Sequence, residues 1–376
     1  MERREFTFRS RTGHTVWMQF VRRWPYTIAV GVSVLVGIAA IIGCRSLGIP
    51  LKDPEGFLGP AYVRLPVLGL LLSGVGILLA AVRRRGWRKL PLGVTEVVKH
   101  EWTLRRTVYI MTGLLTFYVS YVGYRNLKNV LPIYREGTLY DRGLLEVDRW
   151  FFAGHNPASV LHAILGTDVT AVLLSFVYLA YLPLVPISLG VFLVLSRDMA
   201  VGAWYATTLS LNWVFGVVSY YIVPAVGPVY SRPDLYTDLP VTGVSTLQQA
   251  LLDNRLEFLT SPLTSDAIHG VAAFASLHVS VTFAAALFLH RTGQNTMVRT
   301  AAWIFFGLTF LATLYFGWHY VLDNVGGMLI GWGSLAVGAW ATGCTSERLA
   351  AIRAENAAAR ERELAAKPKS MAGQIA

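Results

Sequence analysis

The sequence predicts an all-α integral membrane protein with about eight transmembrane helices. Hydrophobic residues make up 54% of the 376 residues and charged residues only 15%, whereas ordinary soluble domains carry about 25% charged residues. The mean hydropathy is +0.48. The Lys and Arg residues are gathered in short segments between apolar runs, as is typical of the loops of membrane proteins.

Eight apolar runs approach the length of about 20 residues that a bilayer core requires. Two long segments, about 125–168 and 224–270, separate some of these runs, and loops of this length are usually functional. Within the second segment, residues 245–259 carry apolar side chains at helical spacing and predict a short interfacial helix. The eight runs are 26–43, 65–82, 107–124, 169–195, 199–223, 271–289, 301–317 and 321–343.

The distribution of Lys and Arg predicts the orientation of the chain. If the N-terminus is cytoplasmic, the inner segments hold 23 of the 33 basic residues. The positive-inside rule therefore favours cytoplasmic N- and C-termini and an even number of spans. The net charge of +11 is concentrated where a chain meets anionic lipid headgroups, so we expect a membrane partner and no nucleic acid.

These observations divide the chain into four parts. We expect a basic cytoplasmic N-terminus over 1–25, an N-terminal two-helix hairpin with its basic loop over 26–106, a six-helix core over 107–343, and a charged cytoplasmic tail over 344–376. The composition of the tail predicts a solvent-exposed helix. Cys44 and Cys344 fall on opposite faces of the predicted bilayer, so they form no disulfide. No metal site and no cofactor is expected.

Two histidines and one aspartate are the candidate catalytic residues. His278 and His319 each lie at the outer end of an apolar run, where a lone histidine would read as an interfacial anchor. His319 and Asp323, however, are spaced i, i+4 and share one helical face. A carboxylate beside an imidazole fixes its tautomer and stabilises its cation, which suits a nucleophile, and a second histidine then protonates the departing oxygen. The topology places all three residues on the outer side.

The same residues carry a family resemblance. Residues 275–278 read Ala-Ser-Leu-His, and residues 317–323 read Gly-Trp-His followed by three residues and Asp. This pair of motifs resembles the type 2 phosphatidic acid phosphatase superfamily, and most of all its branch that contains inositol phosphorylceramide synthase. A Leu before the histidine is typical of that branch. The resemblance covers about residues 107–343.

The resemblance implies a mechanism. His319 would attack phosphorus and form a phosphohistidine, Asp323 would orient it, and His278 would act as general acid and then help to activate the acceptor. The superfamily works without a metal. Ser276, within the first of these motifs, is a candidate for binding the substrate phosphate.

The chain departs from the family pattern at the phosphate-binding positions. Ala312 and Thr313 stand where the family has Ser and Arg. The transition state still requires cationic donors for its equatorial oxygens. Lys128 and Arg135 have the spacing of the family's Lys-x6-Arg-Pro motif, although Glu136 replaces the Pro. Arg125, one turn before Lys128, and Arg232 in the second outer loop are further candidates. Arg125 and Lys128 are alternatively anchors for lipid headgroups of the outer leaflet.

Two enzymatic outcomes share the proposed intermediate. An alcohol acceptor would make the protein an inositolphosphotransferase-like enzyme, and water would make it a lipid phosphate or polyprenyl (di)phosphate phosphatase. The expected partners are a lipid phosphate and a lipid or polyol alcohol. A non-enzymatic lipid transporter is the alternative from another class, although no repeat halves are visible. We expect a bacterial plasma membrane, with the site on the extracytoplasmic face.

Overall fold

The protein is an all-α membrane protein. The computed structural model describes residues 24–365, apart from 54, 57, 58 and 197. The predicted N-terminal segment 1–25 therefore lies almost wholly outside the described residues, as does the end of the charged tail. Within the described residues, the only strands are an antiparallel pair of two residues each, β1 (Glu55–Gly56) and β2 (Gly59–Pro60).

Each of the eight predicted spans is occupied by a helix. The first part of the chain forms α1 (Thr27–Ser46), α2 (Ala61–Arg85), α3 (Leu90–Glu101), α4 (Leu104–Tyr134), α5 (Asp141–Phe151), α6 (Pro157–Leu165), α7 (Val169–Leu195) and α8 (Met199–Ile222). The second part forms α9 (Pro228–Ser231), α10 (Gly243–Thr260), α11 (Leu277–Arg291), α12 (Thr296–Tyr315), α13 (Val321–Ala341) and α14 (Ser346–Ala365). Short 3₁₀ turns at Trp87–Lys89 and Pro233–Tyr236 connect some of these helices.

The number of spans depends on how strictly length and apolarity are judged. Of the described helices, α1, α7, α12 and the part of α2 at Leu65–Arg85 are long and apolar enough to cross a membrane. Counting α13 together with the start of α14, which is bent against it by 94°, makes five. The helix α11 is apolar but has only 15 residues. Eight spans thus remain a prediction, while the helical membrane architecture is clear.

The core of the bundle is built around α8. Most of its side chains are buried, and it packs against α4, α11 and α13. Two of its buried polar side chains are bonded within the bundle: Trp204 Nε1 donates to the carbonyl oxygen of Leu335 at 2.9 Å, and Asn212 Nδ2 donates to that of Thr208 at 2.7 Å. Satisfied polar groups of this kind are required where no water is present.

Glycines allow α11 and α13 to approach closely. A Cβ atom at Gly327 would collide with the carbonyl oxygen of Ser276, and one at Gly331 would collide with that of Ser280. Small residues four positions apart are typical of such helix contacts in membranes. The starts of the two helices are further joined because the Ser276 N–H donates to the carbonyl oxygen of Asp323 at 2.9 Å. The two sequence motifs therefore lie side by side.

The two long segments that the sequence predicts as outer loops are mostly helical. The predicted interfacial helix 245–259 is confirmed as a helix by α10, which begins with a capping box made by Thr242 and Ser245. Helix α5 carries the two buried aspartates Asp141 and Asp148 on one face. Helix α5 bonds to the turn that follows His319, and α10 bonds to the segment before it, where Gln248 Nε2 donates to the carbonyl oxygen of Phe316 at 2.8 Å.

The charged tail packs against the opposite end of the bundle. Arg348 of α14 forms an ion pair with Asp198 at 2.7 Å, and Arg353 Nε donates to the carbonyl oxygen of Arg291 at 2.7 Å. These contacts connect α14 to the turns before α8 and after α11. Cys44 and Cys344 are both buried and free.

Candidate active site

His319 and Asp323 meet at the turn that begins α13. Tyr320 N donates to Asp323 Oδ2 at 2.9 Å, which fixes the carboxylate at the helix N-terminus. The same oxygen lies 3.4 Å from His319 Nδ1, slightly beyond an ordinary hydrogen bond. Asp323 is fully buried and His319 is 6% exposed. With Nδ1 facing the carboxylate, Nε2 is the ring nitrogen that is left for attack on a substrate.

His278 lies opposite His319 at the start of α11. The two ring centroids are 6.2 Å apart, too far for a direct hydrogen bond between the rings. His278 is enclosed by Tyr178 and Tyr181 of α7, whose ring centroids lie at 4.5 and 4.3 Å. Its Nε2 is buried and has no hydrogen-bond partner among the described residues. An unpartnered buried nitrogen calls for a ligand or an ordered water.

A stack of aromatic rings joins the two motifs. Tyr178 packs almost parallel to Trp318, with centroids 5.2 Å apart, and Trp318 directly precedes His319. The Tyr178 ring therefore contacts His278 on one motif and Trp318 on the other. The sequence did not indicate these tyrosines, because α7 lies about 100 residues before the first motif.

Two aspartates of α5 hold the turn that carries His319. Asp141 accepts hydrogen bonds from Gly227 N and Tyr320 Oη, both at 2.9 Å. Asp148 Oδ1 accepts from Val321 N at 3.0 Å. Burial raises the pKa of Asp148 to about 7, against the hydrogen bond from Val321. Sequence analysis missed both residues, although their spacing of seven places them on one helical face.

Lys128 of α4 is buried in an aromatic pocket. Its Nζ donates to Tyr124 Oη at 3.3 Å and lies 4.9 Å from the centroid of the Tyr220 ring. Only 6% of its surface is exposed. Lys128 is also within electrostatic range of His278. Among the described residues it has no carboxylate partner, and burial lowers the pKa of its ammonium group, so a bound anion would stabilise its charge.

The other phosphate-binding candidates are more dispersed. Arg125 Nη2 donates to the carbonyl oxygen of Ile268 at 3.3 Å. Arg135 lies two turns beyond Lys128, at the C-terminus of α4. Ser276 is fully buried and caps α11, accepting from Val279 N at 3.4 Å.

Arg232 is already paired. It forms a double hydrogen bond with Asp234, at 2.7 and 2.8 Å, and its side chain is 40% exposed. Asp234 therefore neutralises the charge that the sequence analysis assigned to a substrate phosphate. The structure does not bring Arg232 into direct contact with the two histidines.

Two further basic groups, His269 and Arg255, interact electrostatically with each other, and His269 also interacts with Lys128. His269 is fully buried, and its Nε2 lies 2.9 Å from the carbonyl oxygen of Asn129. Burial, assisted by the charge of Arg255, lowers the pKa of His269 to about 3, so the ring is neutral. Arg255 of α10 was not among the sequence candidates, because nothing in the sequence indicates how α10 is oriented. Within the described residues, no group of three or more His, Cys, Asp or Glu side chains is arranged to hold a metal.

The comparison with protein families agrees with this geometry. Residues 142–337 match the PAP2 superfamily, and the chain belongs to that superfamily. No curated protein and no solved structure matches the chain. Membership supports phosphatase or phosphotransferase chemistry on lipid phosphates. The matched residues include His278, His319 and Asp323, while Lys128 and Arg125 precede them.

Proposed function

We propose that the protein transfers a phosphoryl or headgroup-phosphate group of a lipid through a phosphohistidine on His319. One observation carries the proposal: the His319 imidazole lies 3.4 Å from the buried Asp323 carboxylate, and its ring centroid is 6.2 Å from that of His278, whose buried Nε2 has no hydrogen-bond partner among the described residues. A nucleophile with an orienting carboxylate and a nearby acid is the arrangement that covalent catalysis requires.

In the first step, His319 Nε2 attacks phosphorus and the bond from phosphorus to the leaving oxygen breaks. His278 gives its proton to that oxygen, so the leaving group departs as an alcohol or as a phosphate. Asp323 balances the positive charge that develops on the imidazole of His319. Lys128, which is buried without a carboxylate partner among the described residues and interacts electrostatically with His278, is the candidate that neutralises the phosphoryl oxygens.

In the second step, an acceptor attacks the phosphohistidine and His278 removes its proton. The bond from phosphorus to His319 then breaks, and both histidines return to their starting states. An alcohol acceptor gives an inositolphosphotransferase-like transferase, which the Ala-Ser-Leu-His motif favours. Water as acceptor gives a phosphatase for a lipid phosphate or a polyprenyl (di)phosphate. Neither step uses a metal or a cofactor.

The proposal is tested by turnover of a lipid panel with purified protein. The panel holds phosphatidic acid, polyprenyl phosphate and diphosphate, and phosphatidylinositol with and without a lipid alcohol. His319→Ala is compared with His155→Ala, which removes an exposed histidine of the same outer face. We expect turnover by wild type and His155→Ala, with a chelator present, and none by His319→Ala. Phosphate release identifies a phosphatase, and a new phospholipid identifies a transferase.

A lipid transporter is the competing function. It predicts that wild type and His319→Ala are equally inert on every lipid while both are folded. It also predicts that His319→Ala retains the biological activity of the wild type, which a nucleophile cannot do. Either result would contradict the enzymatic proposal.

We place the site on the extracytoplasmic face of a bacterial plasma membrane, with both termini cytoplasmic. The support is the concentration of Lys and Arg in the opposite loops. An impermeant thiol reagent applied to intact cells tests the placement. It is expected to label Arg142→Cys, on the exposed surface of α5, and to spare Lys89→Cys. The reverse pattern would invert the topology.

A further inference from the structure

One face of α10 packs against residues 268–270. Leu251 borders Gly270, where an added Cβ would lie 3.1 Å from Leu251 Cδ2. Phe258 contacts His269, with ring centroids 5.6 Å apart. Arg255 is four residues after Leu251 and three before Phe258, so it projects from the same helical face. Its side chain is therefore directed to the 268–270 segment, which agrees with its electrostatic interaction with His269.

A second guanidinium reaches the same segment from α4. Arg125 Nη2 donates to the carbonyl oxygen of Ile268 at 3.3 Å. An added Cβ at Gly270 would lie 3.4 Å from Arg125 Nη1. The absence of a side chain at Gly270 thus leaves room for this guanidinium. Arg125 and Arg255 converge on three consecutive residues from two different helices.

Neither guanidinium forms an ion pair among the described residues. Within the described residues, Arg255 has no hydrogen bond or ion pair, and Arg125 Nε is buried without a partner. The carboxylate in electrostatic range of Arg255 is Asp141, which is already bonded to Gly227 N and Tyr320 Oη. Burial lowers the pKa of Arg255. Both side chains are half-buried. An unpaired charge that is partly removed from water is costly, and a bound anion lowers that cost.

His269, the middle residue of the segment, is neutral and interacts electrostatically with both arginines. Because its Nε2 faces the carbonyl oxygen of Asn129, the N–H lies on Nε2, and the buried Nδ1 has no partner. Lys128 is within electrostatic range of both His269 and His278. The 268–270 segment therefore adjoins the two-histidine site, with Lys128 between the two.

We propose that Arg125 and Arg255 form a second anion subsite at residues 268–270, which binds a phosphate group of the substrate beyond the one under attack. Planar guanidiniums suit phosphate oxygens because they donate two parallel hydrogen bonds. The subsite selects substrates that carry two phosphate groups. Its assignment to a substrate rests on the proposed function, but the binding of an inorganic anion does not.

The test measures binding of inorganic phosphate and pyrophosphate by titration calorimetry. The full chain is used in the His319→Ala background, so that no turnover occurs. Arg255→Gln is expected to weaken pyrophosphate binding about tenfold or more, since a hydrogen bond to a charged group is lost, and to affect phosphate less. Arg255→Lys, which keeps the charge, is expected to be intermediate. Arg232→Gln is the matched control, because Asp234 already neutralises that arginine on the same outer face.

Unchanged pyrophosphate affinity in Arg255→Gln, with an unliganded Tm equal to that of the background, would overturn the proposal. An equal loss for phosphate and pyrophosphate would also overturn it, because the pair would then contact a single phosphate. The lipid panel separates this result from the proposed function. If pyrophosphate binding depends on Arg255 but no lipid is turned over, the subsite is supported and the proposed function is refuted. If lipid is turned over but pyrophosphate binding does not depend on Arg255, the proposed function is supported and the subsite is refuted.

Discussion

Replacing Asp323 with asparagine removes one negative charge from beside His319 and changes little else. Asp323 Oδ2 both accepts from Tyr320 N at 2.9 Å and faces His319 Nδ1 at 3.4 Å. An asparagine that places its oxygen there keeps both contacts. Its NH₂ group takes the place of Oδ1, which has no hydrogen-bond partner within the described residues. The substitution therefore isolates the effect of the charge.

The size of the effect follows from the geometry. At the 3.4 Å that separates the two atoms, Coulomb's law with an effective dielectric of about 20 gives an upper limit near 5 kcal/mol. A hydrogen bond to a charged group contributes about 1.5–3 kcal/mol in practice. Because the imidazole becomes cationic as it attacks, the loss falls on the transition state. We expect kcat to fall about 10- to 150-fold.

The assay is steady-state turnover of the lipid that the wild type converts. Asp238→Asn is the matched control, because Asp238 pairs with His162 Nδ1 at 3.0 Å in the same chemical arrangement away from the two motif histidines. We expect its kcat to stay within about twofold of the wild type, as for surface substitutions. A kcat for Asp323→Asn within that range, while His319→Ala is inactive, would refute the orienting role of Asp323.

Three further predictions follow from single side chains. Lys128→Met, which removes the buried charge but keeps an unbranched chain, is expected to lower kcat/KM about 10- to 100-fold, and an unchanged value would exclude phosphate contact. Burial raises the pKa of Asp148 to about 7, from about 3.9 in an unfolded chain, so the folded state retains a proton that the unfolded state has lost. The stabilisation from that proton is complete at low pH and is lost as the pH rises to 7, so the Tm of the wild type should fall over this range. In Asp148→Asn the fall in Tm should be smaller, and a pH profile of Tm identical to that of the wild type would contradict the prediction. Gly227 has φ +98, and a Cβ there would lie 2.5 Å from the carbonyl oxygen of Trp318. Gly227→Ala should destabilise the fold by about 1–3 kcal/mol, measured as a lower Tm, while Gly143→Ala, with open space around it, should not; equal Tm values would disprove the strain.

The sequence alone was sufficient to predict where the helices lie and that the two motifs are close together. Apolar runs of bilayer length fix where long helices form, and the span 321–343 is observed as Val321–Ala341. His278 and His319 could be placed together because the topology assigned both to the same side. That assignment required only the alternation of spans and the distribution of Lys and Arg.

The surroundings of the histidines could not be predicted in this way. Tyr178 contacts His278 from a helix that is distant in sequence, and Asp141 bonds to Tyr320 across 179 residues. Such contacts depend on how the helices rotate and pack, which hydropathy does not encode. The basic residues could not be predicted either. Arg232 was a candidate from the sequence but forms an ion pair with Asp234, whereas Arg255 was not a candidate and has no ion pair within the described residues.

The central claim is that His319 carries the phosphoryl group during turnover. The most direct measurement is to mix the protein with a phosphorus-labelled substrate, quench in alkali, and locate the label by mass spectrometry of the peptides. We predict label on His319, acid-labile and alkali-stable as for phosphohistidine, and none in His319→Ala. Turnover at the wild-type rate with no labelled histidine, or with label on a different residue, would contradict the account.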